Sequence, residues 1–224
     1  MRRVITFVDG FNLYHSINTL VARNGSSSCY KWLNLTNLST QFLNKTEDLK
    51  EVHYFSAYAK WDQGKMDRHK VYINLLKATG VKVILGSFLK KTKRSRVPCQ
   101  ATCSQGKKNG LCNKSFVTYE EKLTDVNIAI DMLKACINDE CDSVFLISGD
   151  NDFVPALQAI KTLKPAVEIS VLFPPGARAK HLEKVCVGNK FRHMRIKEQH
   201  LKKALFPKVF SVAGSTFSCP SSWV

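Results

Sequence analysis

The stretch "VFLISGDNDFVPAL" (residues 144–157) runs from an apolar segment directly into two aspartates, Asp150 and Asp152. A short apolar run before a glycine-containing turn is typical of a buried strand, and Pro155 suits the first turn of a following helix. The stretch therefore predicts a strand, a turn and a helix, with both carboxylates at the carboxyl end of the strand. The carboxylates are suited either to cap the helix, as Asp152 would, or to bind a cation.

Similar apolar runs recur along the chain and alternate with segments of helical periodicity. They predict strands at residues 4–8, 51–59, 81–85, 143–147 and 167–173. Residues 66–79 and 120–138 have the spacing of helices, and Gly80 is a natural stop for the first of them. This alternation predicts an α/β protein with a mostly parallel central sheet covered by helices.

Two segments depart from the alternating pattern. Residues 87–118 are basic, contain cysteines and are weakly periodic, which predicts an inserted loop or small subdomain. Residues 207–224 are rich in Ser, Pro and Gly, which predicts a C-terminal tail. With 224 residues, the chain is long enough for one well-buried domain, which we expect to span residues 1–206.

The charge of the chain favours polyanionic partners. Lys and Arg number 34 against 18 Asp and Glu, and the formal net charge of +16 attracts RNA, DNA or anionic surfaces. Asp9 interrupts the first apolar run too early for a signal peptide, and no apolar stretch approaches the length of a membrane span. We therefore expect a cytoplasmic protein without membrane contact, whose eight cysteines are reduced thiols.

Carboxylates distant in sequence are expected to meet at one edge of the sheet. Asp9 ends the first strand, and the carboxyl ends of parallel strands form the edge at which ligands bind. Glu121 and Asp125 are four residues apart, so we expect them to share a face near the start of the helix at 120–138. Taken singly, each carboxylate is equally suited to cap a helix or to complement its dipole.

When these carboxylates lie together, their negative charges require compensation. Two like charges about 4 Å apart repel by roughly 4 kcal/mol at an effective dielectric constant of 20, so the cluster needs protons or a cation. Oxygen ligands select hard ions, which indicates Mg²⁺ or Mn²⁺. A metal pocket of this kind within a basic surface suits a phosphodiester substrate, because the metal activates water beside the phosphate.

Three blocks also carry a resemblance to a known family. The blocks "FVDGFNLY" (7–14), "EEKLTDVNIAIDML" (120–133) and "FLISGDNDFVPAL" (145–157) resemble, in this order, the signature blocks of NYN domains. The resemblance is to the LabA-like branch of the PIN-like nuclease superfamily and covers roughly residues 1–195. It implies a Rossmann-like three-layer fold and metal-dependent RNA cleavage by an endoribonuclease.

The resemblance also implies roles for individual residues. The positions that match the family's acidic ligands are Asp9, Asp125, Asp150 and Asp152, with Asn12 and Ser148 at polar positions beside them. Asp9 and Asp150 would bind a metal directly, whereas Asp125 and Asp152 would hold a second ion or its waters. Glu121, which its spacing from Asp125 and not the resemblance singles out, would support them.

Basic and aromatic residues are candidates for contacts with RNA. The run "LKKTKRSR" (89–96) is either a phosphate-contacting arm or a solvated loop. Trp61 is suited either to stack on a base or to be half-buried. The candidates are Lys60, Trp61, Lys90, Lys91, Lys93, Arg94, Arg96, Arg178 and Lys180, with His181 beside the last of them.

Three cysteines have a spacing loosely like that of a zinc knuckle. They are Cys99, Cys103 and Cys112, and a structural Zn²⁺ would stabilise an irregular segment. His53 or His69 would have to supply a fourth ligand. The alternative is three free thiols on a basic loop.

Two classes of function remain in competition. The first is an Mg²⁺- or Mn²⁺-dependent ribonuclease, with DNA cleavage by the same chemistry as a variant. The second is a catalytically weak RNA-binding or regulatory adaptor that retains the fold, since the basic surface would survive the loss of turnover. The four retained aspartates favour the first.

Overall fold

The computed structural model describes residues 1–25, 28–95, 107–108, 111–112 and 114–224. The strands are β1 Arg2–Asp9, β2 Glu47–Ser56, β3 Lys82–Leu85, β4 Ser87–Arg94, β5 Lys107–Lys108, β6 Leu111–Cys112, β7 Ser115–Lys122, β8 Ser143–Ile147, β9 Glu168–Phe173, β10 Arg192–Arg195, β11 Val209–Val212 and β12 Ser215–Ser218. The helices are α1 Gly10–Asn24, α2 Leu35–Thr40, α3 Gln63–Ala78, α4 Thr124–Ile137, α5 Val154–Leu163, α6 Lys180–Asn189 and α7 Glu198–Lys203. Single 3₁₀ turns occupy Ser28–Lys31, Asn151–Phe153 and Ser221–Trp223.

Six strands form the central sheet in the order β10-β9-β8-β1-β2-β3, and every neighbouring pair is parallel. The predicted α/β fold is therefore confirmed, and the strand predicted at 143–147 coincides with β8. The edge strand β10 was not predicted. Its sequence Arg-His-Met-Arg lacks the apolar run that marks a strand buried on both faces.

The sheet separates two hydrophobic layers. On one face, Val4 and Val8 of β1 pack with buried residues of α1, α2, α3 and α7. On the other face, Ile5 and Phe7 of the same strand pack with α4, α5 and α6. Since successive side chains of a strand point to opposite faces, a continuously apolar strand such as β1 requires cover on both sides. The result is a three-layer sandwich.

The basic insertion, for which the sequence left a loop or a small subdomain open, begins and ends as a β-ribbon. β4 and β7 pair antiparallel from Ser87↔Lys122 to Arg94↔Ser115. The basic run therefore lies on a strand from residue 89 to Arg94. The ribbon also shortens the helix predicted at 120–138, because residues up to Lys122 belong to β7 and α4 begins at Thr124.

The C-terminal segment is folded, which corrects the expectation of a tail. β11 and β12 form an antiparallel hairpin whose turn residues, Ala213 and Gly214, have φ of 50° and 75°. Positive φ at both central positions is the geometry of a tight hairpin turn, and Gly214 suits one of these positions. Trp223 is buried, with its ring centroid 6.4 Å from that of Trp32 and 6.1 Å from that of Tyr72. This aromatic packing attaches the segment to the core.

Within the described ranges, no helix has the length and apolar character needed to cross a membrane.

Candidate acidic active site

The site lies at the carboxyl edge of the central sheet, where β1 and β8 end side by side. Val8 pairs with Ile147 in the last register position shared by these strands, so the residues that come after this pair are neighbours. Asp9 follows Val8, and the segment from Ser148 to Asp152 follows Ile147. Parallel pairing thereby brings together carboxylates that are far apart in sequence.

Asp9 is both a helix cap and a buried member of the acidic group. Its side chain is only 3% exposed. Its Oδ1 accepts the backbone N–H of Asn12 at 2.9 Å, which caps α1, and its Oδ2 accepts the hydroxyl of Ser148 at 2.8 Å. Burial raises the pKa of Asp9 to about 6, although these two hydrogen bonds oppose the shift. The carboxyl group is thus costly to ionise without a counter-charge.

A polar network fixes the turn after β8. Ser148 Oγ accepts the backbone N–H of Asp150 at 3.1 Å while donating to Asp9. The side-chain oxygen of Asn12 accepts the N–H of Gly149 at 3.0 Å. Asp150 Oδ1 accepts the N–H of Asp152 at 3.0 Å, so the cap of the following 3₁₀ turn is Asp150 and not Asp152. Asn12 and Ser148 therefore hold the backbone that carries Asp150.

Glu121 and Asp125 do not share a helix face, which corrects the sequence-based expectation. Glu121 lies on β7, whereas Asp125 lies in the first turn of α4, and Leu123 between them adopts a φ of 76°. Glu121 Oε1 accepts the N–H of Thr124 at 3.0 Å. This bond satisfies one of the free N–H groups at the helix start and anchors Glu121 beside it.

The charges of the group act on one another. Partial burial raises the pKa of Asp125 to about 6, and the nearby charges of Asp9, Glu121, Asp150 and Asp152 add to the increase. Asp9, Glu121, Asp125 and Asp150 line one cleft of about 340 Å³. Asp152 is exposed and lies outside the lining of the cleft.

The chemistry of this donor set suits a hard cation, although the side chains are not gathered around one point. In the described part of the chain, none of the five carboxylates forms an ion pair with Lys, Arg or His. Nor do the described residues contain three His, Cys, Asp or Glu side chains close enough to hold an ion as they stand. The uncompensated oxygens fit Mg²⁺ or Mn²⁺, and binding would require side-chain rotation toward a shared centre.

A sequence model of the NYN domain matches residues 3–191, which is most of the chain. The chain belongs to the NYN domain family. Its fold also resembles a crystal structure of a protein of unknown function from Vibrio parahaemolyticus, with a TM-score of 0.51 and 16% sequence identity. The match covers 92% of this chain and 96% of that chain, and at this identity it shows a shared fold alone. No curated protein matched the chain.

The basic residues of this NYN domain fall into paired and unpaired groups. Lys91 and Lys93 contact Glu120 at 2.5 and 2.7 Å, and these contacts lower the pKa of that carboxyl to about 2. Lys90 and Arg94, on the same strand, are exposed and form no ion pair within the described ranges. Arg96 lies outside the described residues.

The remaining basic candidates lie at loops that follow strands of the NYN domain. Lys60 is exposed, and Trp61 beside it is 41% exposed. Arg178 and Lys180 are exposed at the start of α6, shortly after β9. Gly176, two residues before Arg178, lines the acidic cleft. The loop after β9 thus connects the cleft to this basic pair.

The zinc prediction depends on residues that are only partly described. Cys99 and Cys103 lie outside the described residues, and Cys112 lies on β6. His53, one proposed fourth ligand, is buried, with its two ring nitrogens 2.5 Å from Asp131 and 2.7 Å from Glu51. His69 is 3.4 Å from the hydroxyl of Ser56. These contacts place His53 in a buried hydrogen-bonded cluster with two carboxylates of neighbouring elements.

The sequence did not indicate a second cavity, which adjoins the acidic cleft of the NYN domain. It has a volume of about 650 Å³ and lies between α1, α3 and the β4–β7 ribbon. The two cavities share Phe11, His15 and Glu121. Its aromatic residues come from several separate elements, so no local periodicity marks them. Trp61, a candidate for stacking, was the one available signal.

Proposed function

We propose that this protein is a metal-dependent endoribonuclease of the LabA-like branch, which hydrolyses RNA phosphodiester bonds at the acidic cleft in the cytoplasm. One observation carries the proposal. The cleft contains four carboxylates with no ion-pair partner in the described chain, and two of them have a pKa raised to about 6. A protein of net charge +16 whose described residues form no ion pair with these carboxylates is suited to a metal and a phosphodiester.

Asp9, Asp125 and Asp150 would hold Mg²⁺ or Mn²⁺, with Asp152 and Glu121 available to bind its waters. When bound, the ion would lower the pKa of a coordinated water and offset the charge that develops on the phosphate. Asp9 is suited to this role because Asn12 and Ser148 fix both of its oxygens. Ser148 also orients the backbone of Asp150. These contacts reduce the reorganisation needed when the cation enters.

RNA would be gathered by the basic residues around the cleft. Lys90 and Arg94 on β4 and Arg178 and Lys180 near α6 are exposed and available for phosphates. Lys91 and Lys93 are partly neutralised by Glu120, so we expect them to contribute less.

The test compares cleavage of labelled RNA and of matched DNA with Mn²⁺ or with EDTA. Wild-type protein should cleave RNA only with the metal, and Asp150→Asn should lose nearly all activity while keeping its melting temperature in EDTA within a few degrees. Asp48→Asn is the matched control. It makes the same charge change at an exposed position beside the start of β1, at the opposite edge of the sheet. Turnover at the wild-type rate by Asp150→Asn would contradict the assignment.

The alternative is a catalytically weak RNA-binding adaptor. The observation that favours it is the lack of a compact group of three ligands among the described residues. A thermal shift separates the two functions. Millimolar Mn²⁺ raises the melting temperature of a protein that binds it, and it does not change that of a protein whose site no longer binds metal. The same measurement on Asp150→Asn identifies the acidic cleft as the origin of any shift.

A further inference from the structure

The cavity beside the acidic cleft has the size of a ligand site. Its volume of about 650 Å³ falls within the range of roughly 300–1,000 Å³ that is usual for small-molecule sites. Phe11 and Glu121 line both cavities, and Phe11 contacts Phe88 of the ribbon with ring centroids 5.2 Å apart. A molecule bound in the acidic cleft therefore has the second cavity within immediate reach.

One wall of the cavity is a platform of stacked rings. Trp61 stacks on Tyr119 with a centroid distance of 3.8 Å and an angle of 3° between the ring planes. Phe88 packs edge-on against Trp61 at 4.6 Å. Trp61 nevertheless remains 41% exposed. A stacked pair that leaves aromatic surface free is suited to accept one more planar ring, as stacking of bases on aromatic side chains requires.

The interior also offers a few polar groups among aromatic side chains. Ser56 is buried, and its hydroxyl is 3.4 Å from Nε2 of His69. Burial lowers the pKa of His69 to about 4, so the imidazole is neutral at neutral pH. A neutral imidazole presents one donor and one acceptor. Such groups match the polar edge of an uncharged heterocycle.

The lining of the cavity also contains three cationic side chains. Lys31, Lys65 and Arg68 line it, and neither Lys31 nor Arg68 forms an ion pair with the described part of the chain. Lys65 is paired with Asp62 at 3.2 Å. Cationic side chains and aromatic rings in the same lining complement a ligand with an anionic backbone and a planar, neutral ring. Nucleotides combine these two features.

We propose that this cavity binds an unstacked base of a single-stranded RNA whose phosphodiester lies in the acidic cleft. The placement of the phosphodiester in the acidic cleft rests on the proposed function. A base inside a duplex cannot enter the cavity without unpairing, so the substrate class is single-stranded RNA. The C-terminal segment contributes to the cavity, because Trp223 forms part of its lining.

The experiment measures binding and cleavage separately. Binding uses fluorescently labelled short RNA in EDTA as a single strand, as a duplex and as a strand with one abasic position. Two variants perturb the cavity in opposite ways. Trp61→Ala removes the platform, whereas Ala59→Trp places a large ring in the cavity from a half-buried lining position. Phe116→Ala is the control, since Phe116 is an exposed aromatic of the same ribbon that lines neither cavity.

The intact single strand should bind at least about fivefold more tightly than the duplex or the abasic strand. Each cavity variant should weaken single-strand binding by at least the same factor and leave abasic binding unchanged, and Phe116→Ala should match wild type. Equal affinity for the intact and abasic strands would overturn the inference, as would wild-type affinity in both cavity variants. If base-dependent binding appears without metal-dependent cleavage, the nuclease proposal fails and the base site stands. If metal-dependent cleavage proceeds equally on intact and abasic strands, the base site fails and the nuclease proposal stands.

Discussion

Replacing Asp9 with Asn should stabilise the metal-free protein at alkaline pH. The substitution keeps the shape of the side chain, and the amide oxygen can still accept the N–H of Asn12, which lies 2.9 Å from Oδ1 in the wild-type protein. It removes a charge on a side chain that is only 3% exposed and has no cationic partner in the described chain. The expected gain is unusual, because most substitutions of buried residues destabilise a protein.

The magnitude follows from the pKa of Asp9. A carboxyl group whose pKa rises from 3.8 to about 6 on folding loses on the order of 3 kcal/mol of stability once it is ionised. The amide cancels about 1 kcal/mol of the gain from removing this charge, because the hydroxyl of Ser148 loses its acceptor. A net gain of about 2 kcal/mol corresponds to an increase of about 4–8 °C in melting temperature for a chain of this size.

The gain should depend on pH in a defined direction. The folded carboxyl group binds its proton more tightly than the unfolded one, so wild-type stability is complete below about pH 4 and falls as pH rises through about 6. The Asn variant lacks this loss. Its advantage should therefore be full at pH 8 and absent at pH 4, where the altered interaction with Ser148 leaves the variant slightly less stable.

Melting curves in EDTA between pH 4 and 8 test this expectation. Asp142→Asn is the control with the opposite sign. The side chain of Asp142 accepts hydrogen bonds from the backbone and guanidinium of Arg3, which lower its carboxyl pKa to about 2. Its replacement should destabilise the protein at neutral pH. The reasoning is refuted if Asp9→Asn is less stable than wild type by the same amount at every pH, since Asp9 would then act only as a cap.

Three further predictions concern other parts of the structure. Trp223→Ala should cost about 3 kcal/mol of unfolding free energy in urea titrations, and a neutral result would mean that the C-terminal segment is not packed. Leu123→Gly should raise stability by up to about 1 kcal/mol, because φ is 76° there; a decrease would show that packing of the leucine side chain dominates. Replacing Lys90 and Arg94 with Ser should reduce the slope of log affinity against log salt by about 0.7 for each phosphate that the protein no longer neutralises. An unchanged slope would show that this face contacts solvent and not RNA.

The sequence determined five of the six strands of the central sheet and its acidic edge, because both depend on local signals. Strands buried on both faces are continuously apolar, so β8 was located to the residue at 143–147. Alternation with helices implied parallel pairing, and parallel pairing implied that Asp9 and Asp150 would lie at the same edge of the sheet. That their strands, β1 and β8, are direct neighbours is shown by the structure. The three blocks that resembled NYN domains pointed to the family that the match over residues 3–191 shows.

Only the tertiary structure decided the parts that depend on distant partners. The apolar spacing of α4 predicted a helix that already includes Glu121. The pairing of β7 with β4 instead places Glu121 on a strand. The composition of residues 207–224 indicates a tail, yet Trp223 is buried against Trp32 and Tyr72, which lie far away in the chain. The aromatic cavity is likewise assembled from separate elements. Local sequence records the preference of a segment in isolation, whereas burial against a remote surface contributes several kcal/mol and overrides that preference.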